Sequence, residues 1–321
     1  MKKLERLFQL SAMCALAVCM TCAFTACSSD DGDDDDTAEL PDGFRLTGVG
    51  YSYASFEISK ENLRTLFWKW LGTQDASNAD LSAFGIDNDD IDKLLVDMFY
   101  ISFSETADFS EVETKEKGEE KGDKIIFVPQ LRANTKYYYR IFCEFPSDDQ
   151  PSFDGRTYEL NTKTFDPANV HFALGRATVS YEKNVFNGRV VGYNGYVYQL
   201  QESTITVDDI DEKEGFSFGM AYSESATDLD DDNILDYILK EHYGYKDVVW
   251  YYPMWCVLYG IDEYDRSRGM KSADFRDRRL TATFEIYRKY ASKPQYYRAF
   301  ATIGGEYVYD ELRRASENDK E

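Results

Sequence analysis

The sequence predicts a β-dominated chain, two tandem antiparallel β-sandwiches with short helical insertions. Three observations carry this expectation. Two blocks recur in the same order: Ile101-Ser-Phe-Ser-Glu-Thr-Ala107 reads against Met220-Ala-Tyr-Ser-Glu-Ser-Ala226, and Tyr138-Tyr-Arg-Ile-Phe142 against Tyr296-Tyr-Arg-Ala-Phe300. The runs 124–128, 137–145, 281–286 and 296–303 are rich in β-branched and aromatic residues and bounded by Gly, Pro or Asn, with no βαβ alternation. Finally, 25 Tyr, 21 Phe and 4 Trp in 321 residues supply the large apolar side chains that a disordered chain lacks.

The chain opens with Lys2, Lys3 and Arg6, followed by a mostly apolar stretch from Leu7 to Ala26. Its apolar core is shorter than the ~20 residues that span a bilayer and holds Ser11, Thr21 and Thr25, so residues 1–26 are expected to be a secretory signal rather than a spanning helix. Phe24-Thr25-Ala26-Cys27 resembles the lipobox of bacterial lipoproteins, with Phe24 where that family usually has Leu. The resemblance implies a diacylglyceryl group on the Cys27 thiol, cleavage just before it, and a second acyl chain on the freed amine. Two chains give stable membrane anchoring where one gives only marginal binding.

Residues 27–42 are expected to form an acidic, disordered tether. Six Asp occupy the seven positions 30–36, and such a block repels itself and stays extended. Ser28 and Ser29 with these acids, directly behind Cys27, resemble the export signal of Bacteroidota outer-membrane lipoproteins, which implies an outer-membrane protein facing the cell exterior. Asp36-Thr37-Ala38 resembles the short O-glycosylation motif of the same group, which makes Thr37 a candidate modification site.

The first sandwich is expected over 43–166 and the second over 167–321, divided at the turn-forming run Asp166-Pro-Ala-Asn169. The matched blocks stand 36 residues apart in the first copy (Phe103 to Tyr139) and 75 in the second (Tyr222 to Tyr297), so the second carries a large insertion, about 227–279. Leu131-Arg-Ala-Asn-Thr135-Lys-Tyr137 resembles the Leu-x-Pro-x-Thr-x-Tyr corner of fibronectin type III domains, with Ala133 in place of Pro. The fold implied is two fibronectin type III/immunoglobulin-like sandwiches, as in the repeats of Bacteroidota surface lipoproteins. At the second corner Gln295 replaces Tyr137, unless a one-residue slip makes Tyr296 the corner residue.

Both copies carry helix-like insertions. Leu63, Leu66, Phe67, Trp70 and Leu71 follow a possible Ser59 cap at i, i+3, i+4, i+7, i+8 and precede Gly72, while Trp68 lies off the stripe. Ile91, Leu94, Leu95 and Met98 repeat the spacing, as do Ile234, Leu235 and Ile238. Val248-Val-Trp-Tyr-Tyr-Pro-Met-Trp255 crowds four large rings into eight residues. Two roles fit them: covering the insertion's own small core, or forming a stacking platform of Trp250, Tyr251, Tyr252 and Trp255 for sugar faces or another protein, with Trp68 as a second candidate.

The net charge of −23 disfavours nucleic acid and polybasic membrane docking; removing residues 1–26 takes away three basic and one acidic residue, leaving −25. Gly215-Phe-Ser217-Phe-Gly219 matches the elbow of serine hydrolases, but the following Met220-Ala-Tyr-Ser223 reads as further strand, so Ser217 is a remote catalytic candidate. Asp228, Asp230 and Asp232 alternate as in a calcium loop, yet the sixth position lacks Gly and Leu239 stands where the bidentate Glu belongs; capping of the next helix is the alternative role. His171 and His242 have no companion ligand spacing, and no cofactor is expected. Cys143 and Cys256 are expected as buried thiols. The functional expectation is a non-catalytic surface lipoprotein binding a glycan or another envelope protein. A structural accessory subunit of a surface assembly is the alternative.

Overall fold

The computed structural model describes residues 40, 43–70, 88–143, 155–242, 247–290 and 293–317. The leader, Cys27, the acidic tether, Thr37 and Leu71 lie outside them, as do the side chains of Trp68, Trp70 and Ile91. The described residues form two compact units, those within Met1–Val49, Ala54–Pro129 and Thr135–Asn161 in the first, and those within Gly50–Tyr53, Gln130–Asn134 and Thr162–Glu321 in the second. Among the described residues no helix is long and apolar enough to cross a membrane.

In the first unit, β1 (Arg45–Val49), β2 (Ala54–Ser59), β5 (Glu119–Lys121) and β6 (Lys124–Phe127) form a sheet in the order β1-β2-β6-β5. A second sheet, β4-β3-β7-β8, holds β3 (Phe99–Ser104), β4 (Thr114–Lys117), β7 (Lys136–Cys143) and β8 (Tyr158–Asn161). All these pairings are antiparallel. Strand β7 shows why the sequence folds this way: Tyr137, Tyr139, Ile141 and Cys143 are buried, while the residues between them are only half-buried, the period of two that a one-sided sheet requires. Rings from both sheets meet in the core, Phe56 of β2 lying 5.1 Å from Tyr139 and 6.1 Å from Phe103.

Helices α1 (Lys60–Trp70) and α2 (Asn88–Met98) connect β2 to β3. Ser59 caps α1, its Oγ accepting from the Asn62 amide at 3.1 Å, and Leu63, Leu66 and Phe67 are buried as the helical spacing requires. Arg64 of α1 grips Asp92 of α2 with two hydrogen bonds of 2.6 and 2.9 Å, a bidentate pair on a buried carboxylate.

The second unit repeats the strand order. β9 (Val170–Ala173) and β10 (Ala177–Phe186) run along one side of β11 (Arg189–Val207), and β15 (Arg279–Tyr290) and then β14 (Met270–Arg276) follow on its other side. Gly175 sits in the break between β9 and β10, where an added Cβ would stand 2.6 Å from the Glu202 carbonyl oxygen. The opposing sheet contains β12 (Phe216–Ser223), β13 (Val248–Tyr251), β16 (Tyr296–Ile303) and β17 (Glu306–Tyr309) in the order β13-β12-β16-β17, and β18 (Arg313–Arg314) also pairs with β16. The short β19 (Ser316–Glu317) adds a parallel pairing to β10. Tyr198 of β11 meets Tyr222 of β12 at 4.6 Å, and Phe284 of β15 meets Phe218 at 4.9 Å, closing the core between the sheets.

The segment 227–279 does more than interrupt the sandwich. It supplies an edge strand to each sheet, β13 to one and β14 to the other, along with α3 (Ile234–His242), α4 (Pro253–Tyr259) and α5 (Glu263–Ser267). Ile234 and Ile238 of α3 are buried against Leu229, Val248 and Phe300.

Candidate functional site

The aromatic run 248–255 is split by the change from strand to helix. In β13 the two valines and Tyr251 are buried and Trp250 is half-buried, its ring edge-on to Phe300 at 4.7 Å. Tyr251 is a core residue. It stacks on Phe218 at 5.0 Å, lies 5.4 Å from Phe284, and donates its hydroxyl to the Arg268 carbonyl at 2.7 Å. The structure thus does not bring Trp250 and Tyr251 onto one surface with Trp255.

Pro253 begins α4, where its fixed φ suits a first helical residue and its missing N–H costs nothing. From there the spacing changes to that of a helix. Pro253, Met254 and Cys256 are buried, with Val257 partly buried beside them, whereas Trp255, Leu258 and Tyr259 are 60%, 58% and 69% exposed. Tyr252, just before the helix, is also exposed. Trp255 and Tyr259 lie one turn apart with ring centroids at 4.1 Å and planes tilted by 36°. Gly260, at φ +82°, ends the helix in a conformation that favours glycine.

The inward face explains why this outward one is held in place. Cys256 Sγ lies 3.7 Å from a carboxylate oxygen of Asp265 on α5, and burial together with that carboxylate pushes its thiol up to about 11. Asp262 caps α5 by accepting from the Asp265 amide at 2.8 Å, and Arg268 stands 5.3 Å from the exposed ring of Tyr264. An anchored, exposed aromatic pair can stack on a flat apolar face. Leu258 and Tyr259 lie beyond the ring-rich run 248–255 that the sequence singles out. Their signal is the i+3, i+4 spacing from Trp255 after a proline at the helix start.

Ser217 is buried as the second residue of β12, paired with Thr302 on β16, and the strand runs on for six more residues to Ser223 without the strand-to-helix turn of a nucleophile elbow. His171 faces Asp208 at 3.2 Å, and the His242 side chain lies outside the described residues. Asp228 accepts from the Ser223 hydroxyl, Asp230 from the amide and side chain of Asn233 at 3.0 and 2.8 Å, and Asp232 is exposed. Two of the three acids therefore serve the turn leading into α3. Among the described residues no group of three or more His, Cys, Asp or Glu could hold a metal ion.

A buried carboxylate elsewhere in the second unit has no counterpart in the sequence reading. Glu214 accepts from the amides of Tyr51 and Ser52 at 2.8 and 2.7 Å and from the Ser52 hydroxyl at 2.7 Å. Burial raises its pKa above the ordinary value for a glutamate and so weakens it as an acid, and the hydrogen bonds from Ser52 and Tyr51 partly oppose this. Tyr51 in turn donates to Asp209 at 2.9 Å, and burial with that bond pushes its hydroxyl up to about 12. This cluster fixes segment 50–53 within the unit. A scan of known protein-family models finds no match to the chain, and a search of curated proteins finds no similar sequence.

Proposed function

We propose that this chain is a non-catalytic, surface-exposed lipoprotein that binds a glycan through the outward face of α4, on a scaffold of two fibronectin type III-like sandwiches. The observation that carries the reading is the pairing of Trp255 with Tyr259, both more than half exposed, on a helix whose other side is sunk in the core. Exposed large rings on a rigid element cost solvation free energy in the free protein, and a stacking ligand recovers it. The common strand order supports the scaffold assignment: β1-β2-β6-β5 and β4-β3-β7-β8 in the first unit correspond to β10-β11-β15-β14 and β13-β12-β16-β17 in the second. That arrangement is the one expected of immunoglobulin-like sandwiches. Ser217, followed by strand rather than by a helix, favours a binding role over a hydrolytic one.

On this reading Cys27 holds the protein on the outer membrane and residues 28–42 keep the sandwiches clear of it. The acidic net charge favours neutral or basic glycans over sulfated or phosphorylated ones. The test is binding of the mature chain, with Cys27→Ser to keep it soluble, to a polysaccharide panel beside a Trp255→Ala, Tyr259→Ala double variant of unchanged circular dichroism. Binding by the parent that the variant loses supports the proposal. Binding that the variant retains removes α4 from the site, and a panel without binders shifts the ligand to an envelope protein.

A further inference from the structure

Strands β10 and β11 continue past the sheet to which they belong. The last described β15 partner of β11 is Tyr290, opposite Tyr196, and β19 touches β10 only at Thr178 and Val179. Beyond that point, from Lys183 opposite Tyr193 to Phe186 opposite Arg189, the two strands pair only with each other among the described residues. The five β10 residues from 182 to 186, at about 3.3 Å each, carry the tip roughly 17 Å past the last β15 pair. Asn187 and Gly188 close the ribbon with φ of +50° and +75°, the tight two-residue turn that matches strand twist, so the tip is preorganised.

The tip is apolar where a soluble ribbon should be polar. Val185, Phe186 and Val191 are 60%, 68% and 65% exposed. Val185 and Phe186 are consecutive and therefore project from opposite faces of the ribbon, while Val191 is the extra residue where the register shifts. A flat protein partner covers one face of a ribbon; a tip apolar on both faces fits a medium that surrounds it. Local charge points the same way. In the projecting part, 182–195, the chain has two basic residues, Lys183 and Arg189, against one acid, Glu182, which is ion-paired with Lys289. The remaining negative charge of the chain does not cancel this, because screening at physiological salt acts over about 8 Å, well short of the length of the arm.

We propose that the β10–β11 hairpin is a membrane-engaging arm, its Val185–Phe186–Val191 tip entering the interfacial layer of a lipid surface while Lys183 and Arg189 meet anionic headgroups. An apolar tip a few residues deep matches the ~5–10 Å to which interfacial segments bury. Basic side chains beside it extend to the phosphate level. The inference does not depend on lipidation of Cys27 or on glycan binding by α4, because its test reads the tip alone.

The experiment uses the full chain carrying Phe186→Trp, with the parent's tryptophan emission subtracted, mixed with vesicles of 70% phosphatidylcholine and 30% phosphatidylglycerol. The expected result is a blue shift of the added indole, at least twofold quenching by lipids brominated in the upper acyl chain, and loss of most of that quenching at 0.5 M salt. Adding Val185→Asp and Val191→Asp is expected to abolish the quenching while circular dichroism is unchanged. An indole that stays red-shifted and unquenched overturns the proposal, even if the protein co-sediments through another segment. Equal quenching in pure phosphatidylcholine, insensitive to salt, overturns the headgroup assignment, and a blue shift that depends on protein concentration without vesicles shows that the tip binds a second copy instead.

Discussion

Arg140 and Arg298 hold equivalent positions in the two units. Each reaches from its strand, β7 or β16, to a carbonyl in the loop after the neighbouring strand, Ala107 at 3.2 Å and Leu229 at 3.0 Å. Each guanidinium also lies over a ring, Phe109 at 4.0 Å and Tyr309 at 5.2 Å. The serines that end the neighbouring strands repeat as well: Ser104 Oγ accepts from the amide of Thr106 at 3.1 Å, and Ser223 Oγ from that of Ser225 at 3.0 Å. The recurring Ser-Glu-Thr/Ser-Ala and Tyr-Arg blocks are thus the two halves of one structural joint, written twice.

The second joint is the stronger of the two. Arg298 is 9% exposed and serves three acceptors, the carbonyls of Leu229 and Asp310 and the carboxylate of Asp231. Replacing it with Met leaves carbonyls unpaired, and urea denaturation should show a loss of about 2–4 kcal/mol, against about 1–2 kcal/mol for Arg140→Met. Arg298→Lys should recover little of the loss, since a single ammonium group cannot reproduce the guanidinium fork.

Trp255 and Tyr251, four residues apart, should respond in opposite ways. Truncating exposed Trp255 to Ala is expected to change stability by no more than about 0.5 kcal/mol while abolishing glycan binding. Tyr251→Ala, which empties a core site beside Phe218 and Phe284, should cost about 3–5 kcal/mol. Denaturation midpoints together with polysaccharide binding check both outcomes.

Glu214 gives the second unit a defined pH response. Its folded acid is weaker than the ordinary carboxyl group, so the folded chain takes up a proton before the unfolded chain does as the pH falls. The stability this contributes is fully present below the unfolded value of 4.5 and is lost as the pH rises through the higher folded value. Between pH 5 and pH 7 the parent's thermal midpoint should fall more than that of Glu214→Gln; parallel slopes would refute the assignment. Glu214→Ala, which strands the amides of Tyr51 and Ser52, should cost about 2–4 kcal/mol at either pH.

The thiols should be silent until the chain unfolds. Cys143 and Cys256 are free and buried, and burial pushes them up to about 12 and about 11. A maleimide at pH 8 is expected to leave both unlabelled in the native protein and to label both in 6 M guanidinium, as read by peptide mapping.

Local pattern made the strands and the first helix legible. The runs 124–128, 281–286 and 296–303 and the described part of 137–145 appear as β6 (124–127), β15 (279–290), β16 (296–303) and β7 (136–143), and Ser59 caps α1 as its position before the apolar stripe implied. These features depend on residues within one or two turns of each other, so the sequence by itself determined them. It also determined the β-dominated character, through alternation and the placement of turn residues.

Pairing at long range was decided only in the tertiary structure. That β13 and β14, both within the segment read as an insertion, become the edges of opposite sheets depends on which strand is left unpaired, and no local period encodes that. Glu214 looks like one acid among 59 until the amides of segment 50–53, more than 160 positions away, close on it. Four adjacent rings could not be sorted by composition either. Tyr251 is the last residue of an inward-facing strand and Trp255 stands one residue off the buried face of the helix that Pro253 begins, so a change of backbone period between them decides which ring belongs to the core and which faces solvent.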